Sequence, residues 1–378
     1  MKIIINCSTI SATGATQVSA SFIHECIQFK NNNYLVLLSK SVARNIAITE
    51  FPSNFLFRVL DNHPLYGLKG YQIRKELKKL EDQFQADVIF SVFGPSWWTP
   101  KKPHLMGFAY PYIIYKDSPY FQKITVIKKF EYLLREKIHL HFLKKNGKYL
   151  VCETDDTSKL ISRKLSLESH QVFTVGNTHS SLFNDFKTNQ YIKSIDHRKM
   201  EYRFLTLCSY SKHKNLEIIN LVVDEIRKLN LKIEIKFILT IDENSYKKYF
   251  NKETKKYILN KGQITNQECP DLYASCDFLF LPTLLECFSA NYPEAMKMKL
   301  PILTSDLSFA KSVCGNAALY FNPMDPRDIL DKMLLLISND SIKHELIKNG
   351  ELQLLKMPTA KQRAEMYLNI LNSIRQND

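Results

Sequence analysis

Residues 277–306 read DFLFLPTLLECFSANYPEAMKMKLPILTSD. The stretch opens on an apolar run, DFLFLP, that suits a strand covered on both faces, and it closes on a second such run, LPILTSD. Between them, 282–291 reads as a loop. A helix starts near Pro293, because proline suits the first helical position and a carboxylate suits the first turn. Strand, loop, helix, strand is the unit of a parallel sheet. Two glutamates interrupt this apolar segment: Glu286 in the loop beyond the first strand, and Glu294 at the helix start.

The same alternation extends outward along the chain. Ahead of this stretch lie KIIINC, a helix over 18–29, YLVLLS, DVIFSVF, HLMGFAY and KYLV. A polar stretch over 188–199 follows, and then YRFLTLC, a helix over 215–229 and KIEIKFILT. The fold class expected is α/β, with two Rossmann-like doubly wound parallel-sheet domains facing a cleft. A chain of 378 residues is too long for one ordinary core and suits two. The divisions expected are 1–186, an N-terminal domain; 187–359, a C-terminal domain; and 360–378, a final helix after Pro358. Periodicity alone assigns that helix to neither half, and a return onto the N-terminal domain is one option.

Hydrophobic residues at 45% and charged residues at 24% exclude a disordered chain. No uninterrupted apolar run of about 18 residues occurs, and MKIIINCSTI lacks a basic, cleavable leader pattern. The expectation is a cytoplasmic protein, with peripheral attachment at the inner face of the cytoplasmic membrane as an option. Eight cysteines without a CxxC pair read as free, buried thiols. The formal charge of +14 favours anionic partners. Nucleic acid is disfavoured, because the basic residues lie on amphipathic helices without a binding motif or interleaved aromatics. Two helical segments, 69–84 and 123–148, carry much of the charge. In the second, Ile127, Phe130, Leu134 and Ile138 form one stripe, with Lys128, Lys129, Arg135 and Lys137 mostly off it. Two readings stand: a core-facing stripe with a solvated basic face, or contact with anionic lipid head groups.

In open α/β sheets, ligands bind beyond the carboxyl ends of the strands. A carboxylate there accepts hydrogen bonds from vicinal hydroxyls, and small loop residues let backbone N–H groups approach a diphosphate. The glutamate pair fits a sugar nucleotide. Four motifs in order then carry a resemblance: SYSKHKNLEIIN at 209–220, KGQIT at 261–265, DLYASCDFLFLPTLLECFSANYPEAM with KLPILTSD at 271–306, and GNAALYFNPMDP at 315–326. Together with VGNTHSSLF at 175–183, the region resembles the donor-binding half of retaining GT-B glycosyltransferases, in particular glycosyltransferase family 4.

That resemblance implies roles residue by residue. Glu286 contacts hydroxyls of the donor sugar, and Glu294 holds the ribose. The backbone around Ser289, Ala290 and Asn291 faces the diphosphate, and Lys214, beside Asn215, offsets the charge on the leaving group. Gly262, Gln263 and Ile264 line the base pocket. Where the family carries an arginine, this chain has Ser209, so Lys212 is expected to supply a second positive charge. Cys287 and Ser289 replace glycines, which reshapes the sugar pocket. No metal or other cofactor is expected.

In the first half, INCSTISATGATQVSASFIHE places Gly14, Ala15 and Thr16 between a strand and a helix, where the resemblance implies approach to phosphate or acceptor; a plain strand-to-helix turn is the other reading. Tyr110, at the end of HLMGFAY, is the acceptor candidate where relatives carry a histidine; His104 stands at that strand's start. Trp97 and Trp98 in FGPSWWTPKKP suit either sugar stacking or a core plug. Asp155 and Asp156 of CETDD read as helix caps in preference to metal ligands.

The function expected is hexosyl transfer, of EC 2.4 type, from a nucleotide sugar of UDP or GDP type to an acceptor hydroxyl. The acceptor expected is a saccharide or a lipid-diphosphate-linked saccharide in bacterial O-antigen or capsule synthesis. The alternatives are a sugar-nucleotide epimerase of the same fold and a non-catalytic basic partner protein.

Overall fold

The computed structural model describes residues 1–11, 13–184, 186, 201–229 and 231–376. In β1 (Lys2–Cys7), Ile3, Ile5 and Cys7 enter one apolar cluster and Ile4 enters another, so both faces of the strand are covered. That double coverage explains the unbroken apolar run of its sequence. Six further strands join it: β2 (Asn33–Ser39), β3 (Phe55–Leu60), β4 (Val88–Ser91), β5 (His104–Gly107), β6 (Tyr149–Cys152) and β7 (Val172–Thr174). The order is β3-β2-β1-β4-β5-β6-β7, and every pairing is parallel.

The second sheet contains β8 (Glu201–Thr206), β9 (Glu234–Leu239), β10 (Ile258–Asn260), β11 (Phe278–Leu281), β12 (Ile302–Ser305) and β13 (Ala318–Phe321). Its order, β10-β9-β8-β11-β12-β13, is also wholly parallel. Phe204, Phe237, Phe278 and Phe280 pack on the helix Ile218–Lys228, whose Ile219, Val222, Val223 and Ile226 recur at helical spacing. Two doubly wound parallel sheets result.

The chain divides into two compact units. One comprises Met1–Ile114, Ile124–Asn177 and Pro358–Asp378; the other comprises Tyr115–Lys123 and Thr178–Met357. The chain thus passes between units at 177/178, whereas the boundary read from the polar stretch, 186/187, adjoins residues outside the described ones. The helix Ala360–Gln376 belongs to the first unit, where Ala364, Tyr367, Leu368, Leu371 and Ile374 enter the main core. Arg363 fastens it, bonding Asn177 and, at 2.8 Å, the hydroxyl of Ser21.

Of the two readings of the 123–148 segment, the core-facing stripe does not hold. The helix Val126–Asn146 buries only Glu136, Leu143 and Asn146, while Ile127 is 75% exposed, Phe130 69% and Leu134 54%. The apolar stripe faces away from the core because the packed side of this helix is made by its carboxyl-terminal half. All eight cysteines are unpaired, and all but Cys208 are buried. No helix of the described residues is long and apolar enough to cross a membrane.

Candidate active site

In a parallel sheet all carboxyl ends lie on one edge, so the segments after β8, β10 and β11 emerge on the same side of the second unit. After β8 the chain forms a short turn, Lys212–Lys214, ended by Asn215 in the left-handed region at φ 57°. Asparagine tolerates that conformation better than most residues. Its amide donates to the Pro323 carbonyl at 2.9 Å, and its carbonyl accepts from the Lys123 ammonium. Lys214 is held between these anchors. Its Nζ donates to Oε1 of Glu286 at 2.8 Å, with the two side chains only 15% and 19% exposed.

Burial would pull the Lys214 ammonium down, but the adjacent Glu286 carboxylate outweighs it and leaves the group above its ordinary value. The lysine therefore stays charged. The other carboxylate oxygen, Oε2 of Glu286, is buried and accepts no hydrogen bond among the described residues. A buried carboxylate oxygen without a donor is costly, and a sugar hydroxyl would satisfy it.

The Glu286 loop is fixed by its backbone. Leu284 N–H donates to the His213 carbonyl at 2.7 Å, and the Leu284 carbonyl accepts from the Ser118 hydroxyl at 2.5 Å. Farther along, Asn291 donates to the Leu207 carbonyl at 2.7 Å. These bonds tie the loop after β11 to the segment after β8. Among the described residues, the N–H groups of Ser289 and Ala290 donate no hydrogen bond. Ser289 and Asn291 are buried, and Ala290 is exposed.

The helix that follows, Asn291–Lys297, begins two residues before the expected start at Pro293. Glu294 is half-buried on it, and Oε2 accepts from the Tyr273 hydroxyl at 2.9 Å. Tyr273 is fully buried and packs edge-on against Phe183 at 5.4 Å. Burial pushes the Glu294 carboxyl up to about 7, against the opposing pull of the tyrosine hydrogen bond. At the end of β10, Gly262 takes φ 71°, a conformation suited to glycine, with Gln263 exposed and Ile264 half-buried. Thr265 and Glu268 then cap the next turn reciprocally.

Lys214 and Glu286 are thus brought into contact, and Lys212 is not part of that contact: its side chain is exposed. Lys123, which sequence reasoning missed, reaches Asn215 from the short segment Tyr115–Lys123 that packs with the second unit. Nothing in its local sequence signals that contact. His213, lowered to about 4 by burial and by Lys214, is a neutral imidazole at physiological pH.

Gly14, Ala15 and Thr16 lie at the helix N-terminus, in the first turn of Thr13–Glu25, and a Cβ on Gly14 would meet nothing within 4 Å. Tyr110 is half-buried with its ring 4.5 Å from that of His139. Trp98, only 1% exposed, joins the core cluster of Ile4 and Leu77, and buried Trp97 donates its backbone N–H to Asn146 at 3.0 Å. Their rings are covered, so neither offers a stacking face. His104 is buried between the Ser91 hydroxyl at 2.8 Å and the Asn146 carbonyl at 2.7 Å. In CETDD the cap is Thr154, which accepts from Thr157 N–H at 3.2 Å, while Asp155 and Asp156 occupy the first turn.

Residues 187–353, less than half of the chain, match the family described as Glycosyl transferases group 1. The reading of this chain as a glycosyltransferase enzyme stands on that match. No curated protein sequence matches the chain. Among solved structures, the glycosyltransferase of Rickettsia africae ESF-5 superposes with TM-score 0.72 at 12% identity, over 100% of this chain and 99% of that one. Sucrose-phosphate synthase from Thermosynechococcus elongatus gives 0.74 at 12% identity, over 100% of both chains. Anabaena HepE, solved with UDP and glucose, gives 0.68 at 13% identity, over 99% of this chain and 100% of its own. The architecture is the GT-B fold of two parallel-sheet α/β domains.

Proposed function

We propose that this protein is a retaining glycosyltransferase of family 4 that moves a hexose from a nucleotide sugar to an acceptor hydroxyl. The observation that carries this reading is the Lys214–Glu286 pair with its undonated buried oxygen. Glu286 Oε2 accepts a hydroxyl of the donor sugar, and Oε1 keeps the Lys214 ammonium in place. Lys214 and the N–H groups of Ser289 and Ala290 meet the diphosphate, whose negative charge grows as the bond to the anomeric carbon breaks. The acceptor oxygen bonds that carbon on the same face, and its proton passes to the departing phosphate oxygen. Protein cations carry the charge, so no metal is required. Glu294 accepts from the ribose hydroxyls, and Gly262, Gln263 and Ile264 border the base.

A UDP-type donor is favoured over GDP because HepE was solved with UDP and with UDP-glucose. The acceptor is a saccharide or a lipid-diphosphate-linked saccharide of a bacterial surface polymer, met by a protein peripheral at the inner face of the cytoplasmic membrane. The basic helices of the first unit support that part of the reading.

The test is the anomeric configuration of the product, read by NMR on reaction with a UDP-hexose and saccharide acceptors, with and without chelator. Retention in both cases, with turnover lowered about 10²–10³-fold in Lys214→Ala, is the expected result. Inversion, or dependence on added metal, would refute it.

A further inference from the structure

The helix Val126–Asn146 is built in two halves with opposite surroundings. Its second half is anchored: Tyr112 bonds His139 at 2.5 Å, Phe142 packs on Trp97 at 4.8 Å, and Leu143 and Asn146 are buried. Its first half has no buried side chain over 126–135, and Ile127, Phe130 and Leu134 stand on one exposed side. From Val126 to Ile138 the stripe runs about 18 Å along the axis. Such a face is too apolar to be an ordinary solvated surface.

Its charge identifies the partner. The helix carries six basic and two acidic side chains. Both acids are already neutralised: Glu131 pairs with Lys128 at 2.6 Å, and buried Glu136 pairs with Lys164 at 2.7 Å. Exposed Arg135 and Lys137 are left to flank the stripe, while exposed Lys129 lies toward the far side of the helix. Protein interfaces are depleted in lysine at their cores. Lipid head groups welcome it, since the long stem lies along apolar surface while the ammonium reaches the phosphate. A second exposed point, Tyr66 with Leu68, lies in the same unit. His63 lies between Tyr66, 5.1 Å from its ring, and Trp97, 6.5 Å away, and Trp97 in turn packs on Phe142 of the helix.

We infer that the amino-terminal half of the helix Val126–Asn146 is a membrane-docking device. It inserts Ile127, Phe130 and Leu134 among the acyl chains of an anionic bilayer, with Arg135 and Lys137 at the phosphates. The inference gives the acceptor half of the proposed function its surface, and rests on that reading only for which acceptor is met there. Vesicle binding is measured without donor or turnover, so its failure leaves the donor site untouched, and the converse holds.

The full chain is floated with phosphatidylglycerol-containing vesicles and with vesicles of phosphatidylcholine alone. The comparison variant is Ile127→Ser/Phe130→Ser/Leu134→Ser, whose changes fall on exposed positions and leave the thermal midpoint in place. Expected are binding to the anionic vesicles that weakens with salt, and about tenfold or greater loss in the triple variant. Phe130→Trp gives a second readout, since native Trp97 and Trp98 are buried. The emission of the introduced indole shifts to the blue and is quenched by brominated acyl chains. Absence of anionic-vesicle binding, equal binding by the triple variant, or an emission from Phe130→Trp that vesicles leave unshifted would overturn the inference. So would a concentration-dependent dimer, abolished by the triple variant, that binds no vesicle.

Discussion

At the scale of single residues, the two glutamates of 277–306 are held differently although they share one segment. Glu286 faces a permanent cation 2.8 Å away, whereas Glu294 accepts from a neutral phenol. The second carboxyl is therefore raised to about 7 by burial. Its folded value lies above its unfolded one, so its contribution to stability is fully present below about pH 4.5 and lost as pH rises through 7. Replacing Glu294 with Gln should leave stability near wild type at pH 5 and raise it by about 1–3 kcal/mol at pH 8, read from denaturant unfolding of the free protein. A nucleotide sugar, which keeps one charge state across this range, should bind more tightly at pH 8 than at pH 6 because the ribose prefers the ionised carboxylate. Affinity flat across that interval, in wild type and variant alike, would remove Glu294 from the ribose. The roles proposed for these glutamates rest on the resemblance. The unbonded Oε2 and the Lys123–Asn215 contact were not legible in the sequence, since each depends on residues far apart in it.

At the scale of elements, the strands that went unread are β3, β7, β10 and β13, and they are the four edges of the two sheets. An edge strand has one open side and a half-exposed face. β3 shows this plainly, with Phe55 and Leu60 buried but Leu56 exposed, and β7 and β10 have only three residues each. Central strands declare themselves by unbroken apolar runs; edges do not. The stripe of the 126–146 helix misleads for a related reason: periodicity reports an apolar side, not what covers it. The segment Tyr115–Lys123 lies between two pieces of the first unit yet packs with the second. Its Ser118 hydroxyl, bonded to Leu284, is a strut for the Glu286 loop. Ser118→Ala should cost about 1 kcal/mol, a thermal-midpoint drop of about 2–4 °C, and weaken donor binding a few-fold, measured by calorimetry on one preparation. Unchanged binding with a lowered midpoint would make the contact merely structural.

At the scale of the molecule, the chain builds two parallel sheets of similar plan. The second unit gathers Lys214, Glu286 and Glu294, the residues proposed to meet the donor, at the carboxyl edge of its sheet, and the first carries the exposed basic helix. The alternation of apolar runs foretold both sheets because parallel strands are buried on two faces. The measurement that bears most directly on the donor site is the thermal midpoint of the purified chain with UDP-, GDP-, ADP- and CMP-sugars, for wild type and Glu294→Ala. One nucleotide class, UDP, should raise the wild-type midpoint in proportion to the logarithm of its concentration and leave the folded variant unmoved. A midpoint indifferent to every nucleotide sugar, or an equal rise in the variant, would contradict a donor site built on these glutamates.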